Sequence, residues 1–208
     1  MEDPAASDPR LELEELAWAI RRCRKCPLHR TRNKAVPGEG PHDASIFFIG
    51  EAPGRAEDLE GRPFVGRAGK VLDELLLSIG LERSRVFIGN VVKCRPIDPR
   101  GRDRRPTEGE IRACSPYLDR QLELIRPKVI CLLGDTATRY ALEKHGLAAS
   151  RISELHGRII RADGALLLPM YHPSAALYRA RLRATMREDF ERLREIISEL
   201  GMALGGRE

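Results

Sequence analysis

The chain has 208 residues, of which 42% are hydrophobic and 32% charged, which is the balance of a folded globular protein and not of a disordered one. Its length suits one domain with a sizeable core. No run of about 18 apolar residues occurs, which excludes a membrane helix, and the N-terminus lacks the apolar region of a signal peptide. We therefore expect a cytoplasmic protein in which residues 1–10 form a flexible leader, 11–200 the domain and 201–208 a tail.

The positive charge consists mostly of arginine. The net charge at pH 7 is +5, and 30 of the 36 basic residues are arginine. Because arginine pairs with phosphate and stacks on bases, this bias fits contact with nucleic acid, although an Arg-rich proteome gives the same count. The densest basic run, residues 100–105, is expected to be either a nucleic-acid contact or a solvated loop.

Strand and helix patterns alternate along the chain. The first helical pattern covers residues 11–22, with Leu13, Leu16, Trp18 and Ile20 as candidates for burial. Continuous apolar runs, typical of strands buried on both faces, then alternate with further helical patterns. The predicted strands are 45–50, 86–92, 128–133 and 165–170, and the later predicted helices are 70–79, about 107–125, 136–144 and one from 175 or 183 to 200.

This alternation predicts a three-layer α/β/α fold around a central, mainly parallel four-stranded sheet. A hairpin arm is expected near 158–161, and the segment 51–66, rich in Gly, Pro and charge, is predicted to be a loop. In such sheets ligands bind beyond the carboxyl ends of the strands. The candidate site residues at these ends are Glu51 after the first strand, Asn90 in the second and His172 after the last.

The loop after the first strand lacks the signatures of nucleotide binding. The pair Gly69-Lys70 is followed by Val71, and Phe64 stands where a Walker motif has its first glycine. A Rossmann fingerprint is absent as well. We therefore expect no nucleotide cofactor, and a loop at Glu51 and Ala52 that presents backbone N–H groups to a planar ligand.

Three side chains near the strand ends each allow two interpretations. Phe64 is either a plug into the core beneath its loop or a platform on which a base stacks. Asn90 is either a structural amide or a group that recognises the donors and acceptors of a ligand. His172, which Pro173 keeps out of helical conformation, is the best candidate among the five histidines. Together they predict a site with a ring, an amide, an imidazole and backbone donors.

The cysteines suggest a metal or iron–sulfur site. Cys23 and Cys26 form a C-x-x-C motif, and Cys94 and Cys114 lie 20 positions apart. Since disulfides are uncommon inside cells, four such thiols favour a metal or a cluster, and their spacing does not distinguish zinc from iron–sulfur. The fifth, Cys131, lies within an apolar run and is expected to be a small buried strand residue.

Three motifs follow one another along the chain, at 50–58 with 61–66, at 90–96 and at 172–175. In this order, and together with the four cysteines, they resemble the family 4 uracil-DNA glycosylases, the iron–sulfur branch of the uracil-DNA glycosylase superfamily. The resemblance covers about residues 15–180. It implies a uracil-DNA glycosylase fold with a [4Fe–4S] cluster and monofunctional removal of uracil from single- or double-stranded DNA, which leaves an abasic site. The implied cluster ligands are Cys23, Cys26, Cys94 and Cys114.

The resemblance also suggests roles for the site residues. Phe64 would stack on the extruded uracil, Asn90 would recognise its edge, and His172 would donate to a uracil oxygen, assisted by N–H groups of the loop at Glu51 and Ala52. Glu57 or its loop would exclude the thymine methyl group, and Glu51 is a candidate for activating water. These roles make Glu51, Asn90 and His172 the predicted catalytic residues.

Two other functions fit the same residues. One is a non-catalytic, zinc-stabilised DNA-binding module, and the other is a superfamily glycosylase that acts on another deaminated base, such as hypoxanthine. We expect a monomer associated with the nucleoid, with DNA as its partner and no membrane contact. No motif for binding a sliding clamp is visible in the sequence.

Overall fold

The structure is a computed structural model that describes residues 8–202, so most of the predicted leader and tail lies outside the described residues. Strands and helices alternate along this range, with two short 3₁₀ turns at Pro27–Arg30 and Arg83–Arg85. The strands are β1 (Ile46–Gly50), β2 (Phe87–Asn90), β3 (Val129–Leu133), β4 (Ile160–Ala162) and β5 (Ala165–Met170). The α-helices are α1 (Pro9–Arg22), α2 (Arg55–Glu60), α3 (Arg67–Ser78), α4 (Glu108–Ile125), α5 (Asp135–Lys144), α6 (Ile152–Leu155), α7 (Ala175–Tyr178) and α8 (Leu182–Glu199).

The sheet has five strands in the order β2-β1-β3-β5-β4, and all neighbours are parallel except β4 and β5. The mainly parallel sheet is therefore confirmed, but the predicted number of four strands is wrong. The additional strand is the hairpin arm expected near 158–161. It pairs with β5, and the two strands are joined by a two-residue turn at Asp163 and Gly164. The φ angles of these residues, 45° and 82°, are both positive, as a turn of type I′ requires.

Both faces of the sheet are covered, as the three-layer prediction requires. Alternate residues of a strand point to opposite faces, so Phe48 packs into the core beneath α3 and α8, whereas Phe47 packs into the core beneath α1, α4 and α5. Cys131 is fully buried within the first of these cores, as predicted. Among the described residues, no helix is long and apolar enough to cross a membrane.

Several element boundaries differ from the prediction. Helix α1 begins at Pro9 instead of residue 11 because the Asp8 side chain accepts a hydrogen bond from the Arg10 N–H and caps it. Trp18 is 56% exposed instead of buried, since the buried stripe of α1 runs through other positions. The segment predicted as a loop at 51–66 contains α2. Of the two predicted starts of the last helix, 183 lies within one residue of the start of α8, whereas the segment from 175 forms the separate helix α7.

The register of the strands brings their carboxyl ends together. Gly50 of β1 is paired with Asn90 of β2, so the residue after β1 lies beside Asn90. Leu133 is paired with Met170 in the same way, and the Gly134 N–H donates to the Met170 carbonyl. Gly134 has a φ of +87°, and a Cβ added to it would lie 3.1 Å from the Cβ of His172. Because glycine has no side chain, the two residues can lie this close together. The fold thus places the three predicted strand-end residues at one edge of the sheet.

Candidate active site

A pocket of about 250 Å³ opens at the carboxyl ends of the parallel strands. A cavity of about 150 Å³ accommodates benzene, so this pocket has room for one pyrimidine ring. Among its lining residues are all six that the sequence singled out. These are Glu51, Ala52, Glu57, Phe64, Asn90 and His172.

Two glycines allow Phe64 to reach this pocket. A Cβ at Gly50 would lie 2.8 Å from the Phe64 ring and closer still to Asn90 Oδ1, so only glycine lets both side chains approach the end of β1. A Cβ at Gly69 would overlap the Phe64 carbonyl group. The Phe64 backbone itself has a φ of 49°, a strained value for a residue with a side chain. The surroundings therefore hold this ring at a specific place.

Arg83 anchors the strained turn. Its guanidinium donates to the Pro63 carbonyl at 2.6 Å and to the Phe64 carbonyl at 3.2 Å. The Phe64 ring lies with its centroid 5.6 Å from that of His172, tilted by 33°. The ring is 6% exposed and contacts the core beneath α3 and α8, so it is both a plug and a wall of the pocket.

Asn90 is 2% exposed and its side-chain Oδ1 accepts no hydrogen bond from any described residue. A buried polar atom without a partner is unfavourable by about 1–3 kcal/mol, which points to a partner supplied from outside the chain. The backbone carbonyl of Asn90 is held in place by Lys93. The Lys93 ammonium donates to this carbonyl at 2.8 Å and to Gln121 Oε1 at 2.7 Å. Burial lowers the pKa of Lys93 to about 8.

His172 is neutral, and its tautomer follows from its neighbours. The Ser174 backbone N–H donates to His172 Nδ1 at 3.2 Å, and the Ser174 hydroxyl lies 2.7 Å from the same atom. A backbone N–H can only donate, so Nδ1 is the acceptor and the proton is assigned to Nε2. Burial lowers the pKa of His172 to about 4, so the ring is uncharged at neutral pH. It thus has one N–H available to donate.

The two glutamates of the loop differ in what they contact. Glu57 accepts hydrogen bonds from three backbone N–H groups, those of Gly54 at 3.1 Å, Val65 at 2.9 Å and Gly66 at 2.8 Å, and so ties both ends of the loop together. Glu51 accepts a hydrogen bond from Thr136 Oγ1 through one carboxylate oxygen. Its other oxygen, Oε1, accepts none from the residues at 8–202.

A second cavity brings together the four paired cysteines. They come from three parts of the chain, namely the segment directly after α1, the segment after β2, and α4. The four that line it jointly are Cys23, Cys26, Cys94 and Cys114. Donors are directed at three of the sulfurs, and the first is the Lys25 backbone N–H, which lies 3.5 Å from Cys23 Sγ. The Arg32 guanidinium lies 3.1 Å from Cys94 Sγ, and the Lys93 backbone N–H lies 3.1 Å from Cys114 Sγ.

Among residues 8–202, no group of three or more His, Cys, Asp or Glu side chains is arranged to hold a single metal ion. Burial raises the pKa of the Cys114 thiol to about 11 and also raises those of Cys26 and Cys94. Such thiols need a strong positive centre before they become thiolates.

Comparison with known proteins identifies the family. The family model of the uracil DNA glycosylase superfamily matches residues 37–200. The type-4 uracil-DNA glycosylase of Sulfurisphaera tokodaii is 49% identical over 189 residues, which are 88% of this chain and 84% of that protein. The chain belongs to the type-4 uracil-DNA glycosylases. The type-4 enzyme of Saccharolobus solfataricus is 47% identical over 92% of this chain and 89% of its own, and that of Archaeoglobus fulgidus is 46% identical over 88% and 92%.

Three residues of the candidate site were missed from the sequence. Ser174, which sets the His172 tautomer, directly follows the His-Pro pair and could have been noticed there. Thr136, which contacts Glu51, follows the end of β3, a parallel strand whose end contributed no candidate. Arg83 holds the Phe64 turn from 19 positions away, and no local pattern reveals such a contact.

Half of the positive charge of the basic run 100–105 is paired with nearby carboxylates. Arg102 pairs with Asp98 at 2.9 Å, and Arg104 pairs with Glu110, which is 6% exposed, at 2.6 Å. The other two arginines of the run are exposed and form no ion pair within the described residues. Only half of the run's positive charge is therefore free for a partner.

Proposed function

We propose that this chain excises uracil from DNA as a monofunctional glycosylase, in the first step of base excision repair. Water replaces the base at the sugar carbon, which releases free uracil and leaves an abasic site. The observation that supports this most directly is the buried, unpartnered Asn90 carboxamide in a pocket of pyrimidine size, in a chain of the type-4 family.

The pocket residues would capture an extruded base. Rotating a nucleotide out of a duplex costs a few kcal/mol, least at a mispair, and stacking on Phe64 recovers about 1–3 kcal/mol. Asn90 offers an acceptor and a donor to the uracil edge. Cytosine has a donor where uracil has an acceptor, so it would leave this buried amide mismatched. The loop tied by Glu57 would exclude the methyl group of thymine by contact.

His172 would stabilise the departing base. Cleavage of the glycosidic bond places negative charge on the uracil ring, and a neutral imidazole with its proton on Nε2 can donate to a uracil oxygen. Two features support this role, namely the Ser174 N–H that holds Nδ1 as the acceptor and the burial that keeps the ring uncharged. N–H groups of the loop at Glu51 and Ala52 would share the charge. Loss of one such donor typically costs about 2.7–4 kcal/mol.

Glu51 is the candidate for orienting the attacking water. Thr136 holds one of its carboxylate oxygens and leaves the other available to accept a hydrogen bond from water. Because the sugar acquires positive character as the base departs, a carboxylate near it is also favourable electrostatically.

The four cysteines would hold a [4Fe–4S] cluster. Four thiols suit one zinc ion or an iron–sulfur cluster, and the resemblance to the type-4 family favours the cluster. A cubane cluster is larger, so its ligands are more widely separated, and hydrogen bonds to sulfur such as those from Arg32 and Lys93 suit it. Once bound, the cluster would link α1, the segment after β2 and α4 covalently. Through Cys94 it would brace the chain beyond Asn90.

The proposal extends to the partners and location of the protein. It would act as a monomer on uracil in single- and double-stranded DNA, in the cytoplasm and at the nucleoid. A sedimentation measurement with and without a uracil-containing oligonucleotide tests the one-to-one stoichiometry. A dimer bound to one uracil site would contradict it.

An excision assay tests the function. The purified protein is incubated with U·G duplex and single-stranded uracil oligonucleotides without added metal or nucleotide, and abasic sites are then cleaved with alkali. We expect strand breaks at uracil and none at thymine or cytosine. An intact U·G substrate with fully loaded protein would overturn the proposal, and a parallel substrate with hypoxanthine identifies the other glycosylase activity.

The visible spectrum and metal analysis test the cofactor. A brown protein with about four irons per chain supports the cluster. A colourless protein with one bound zinc would instead support the zinc-stabilised module.

A further inference from the structure

A second basic surface, outside the pocket, is not neutralised by the chain. Between residues 16 and 38 the sequence has seven Lys and Arg residues and no Asp or Glu. Six of the seven are exposed, and none of these six forms an ion pair with a described residue. The exposed six, which we name the basic patch, are Arg21, Arg22, Arg24, Lys25, Arg30 and Lys34.

The basic patch differs from the run 100–105, which the sequence alone makes more conspicuous. Two arginines of the run are paired with carboxylates, whereas the patch retains all its charge. Like charges in one area repel each other and oppose folding, so an unpaired group of this size is unfavourable without an anionic partner. The charge therefore indicates a polyanion bound from outside.

Two cations of the patch are held by aromatic rings. The Arg22 guanidinium lies 4.1 Å from the centre of the exposed Trp18 ring, and Lys25 Nζ lies 4.7 Å from that of Tyr117. Such contacts restrict long side chains while leaving their charge accessible. A patch with positioned cations loses less conformational entropy when it binds a partner.

Two links connect the patch to the candidate active site. Near Lys34, the Asn33 N–H donates to Asp58 of α2 at 2.9 Å, and the Lys34 side chain packs over Gly61 at the end of that helix. This helix carries Glu57, which ties the pocket loop. In the second link, Lys25 and Cys94 both line the cavity of the four cysteines. Cys94 is two residues from Pro96, which lines the candidate active site, so these two residues are at most about 7 Å apart.

We propose that the basic patch binds backbone phosphates of the DNA strand beside the extruded nucleotide. This inference rests on the proposed function, since it assumes that DNA enters the adjacent pocket. Phosphates are regularly spaced anions that arginine contacts through two hydrogen bonds. The patch then supplies affinity without sequence preference, while the pocket selects the base. An acidic protein surface is the other class of partner that such charge could recognise.

Salt-dependent binding tests the patch. The double variant Arg30→Gln/Lys34→Gln removes two charges of the patch, and both positions are at least four residues from any cysteine. The matched control is Lys128→Gln/Arg161→Gln. It removes two exposed cations elsewhere, one just before β3 and one on the edge strand β4. Binding to a uracil-free duplex is measured by fluorescence anisotropy across a salt series. Because each phosphate contact contributes about 0.9 to the slope of log K against log salt, we expect the patch variant to lose up to about 1.8 and the control almost nothing.

The excision assay provides an independent comparison. We expect KM for a U·G duplex to rise about tenfold at low salt in the patch variant while kcat stays within twofold. A second pair, Arg22→Gln/Arg24→Gln, gives the same comparison if the first pair folds poorly. Equal visible spectra confirm that the variants and the unmodified protein carry the same amount of the cluster. A salt slope equal to that of the control in both pairs overturns the proposal, and an acidic protein then becomes the partner to seek. Binding to uracil-free DNA tests the patch even if no uracil is released.

Discussion

Two pockets of this chain differ in what their polar groups contact. The larger, of about 380 Å³, lies between α4, α5 and the β4–β5 hairpin, and its polar groups contact each other. Asp119 accepts hydrogen bonds from Tyr140 and from Lys144, both at 2.5 Å, and His145 faces Asp163 at 2.9 Å. The smaller, at the strand ends, contains the unpartnered Asn90 oxygen and the available N–H of His172.

The difference suggests a criterion for a functional site other than volume. A satisfied group in a pocket has no remaining interaction to offer a ligand, whereas an unsatisfied buried group lowers stability until a ligand binds. On this reasoning, changes in the strand-end pocket reduce activity without a proportionate loss of stability. Changes in the larger pocket do the reverse.

The largest effect is expected for His172→Ala. Removing the only donor that the imidazole offers should reduce kcat for uracil release by about 100- to 1,000-fold, measured in single-turnover excision from a U·G duplex. The control is Ser174→Ala, which keeps the ring and the backbone N–H that fixes its tautomer. We expect that control to lose much less. Equal losses in the two variants would show that the ring acts only through its anchoring.

Replacing Asn90 should separate activity from stability. Asn90→Leu removes the buried, unpartnered oxygen, so we expect unfolding free energy to stay equal or rise by up to about 1–3 kcal/mol while uracil excision falls at least tenfold. Denaturant unfolding and the excision assay measure the two. The companion variant Asn90→Asp should weaken uracil release and allow some release of cytosine. A strongly destabilised Asn90→Leu protein would mean that the amide is a structural group.

The pKa of His172 predicts a pH dependence of stability. The folded pKa of about 4 lies below the ordinary value of 6.5, so between these pH values the unfolded chain binds a proton that the folded chain does not. Stability should therefore fall as the pH decreases from about 6.5 to about 4, by at most about 3 kcal/mol, and not change further from this group below pH 4. Thermal unfolding of the protein and of His172→Gln isolates this contribution, which the variant should lack. Identical pH curves would contradict a buried neutral ring.

Local patterns in the sequence predicted most of the fold. At the start of the predicted helix at about 107–125, Thr107 and Glu110 form the reciprocal hydrogen bonds of a capping box, at 3.3 and 2.8 Å, and both partners lie within four residues. The fifth strand was not counted because β4 has only three residues and is half-exposed, so its apolar signal is weak. Short elements without a clear period are the hardest to recognise.

The same limit applies to the site. Strand-end positions identified Glu51, Asn90 and His172, since parallel strands deliver their ends to one edge. What the sequence did not reveal depends on contacts between distant segments, such as Arg83 with the Phe64 carbonyl or Thr136 with Glu51. The ion pairs of the run 100–105 with Asp98 and Glu110 were not predicted for the same reason, because they form only when the loop is folded.

The smallest effect is expected for Tyr140→Phe in the larger pocket. This change removes one hydrogen bond to Asp119, a carboxylate that keeps its contact with Lys144. Because the group left behind stays satisfied, we expect a loss of only about 0.5–1.5 kcal/mol in unfolding free energy and excision within twofold of the unmodified protein. Denaturant unfolding and the U·G assay measure both. A tenfold fall in excision would show that this pocket takes part in catalysis, and paired polar groups would then no longer distinguish a structural pocket from a functional one.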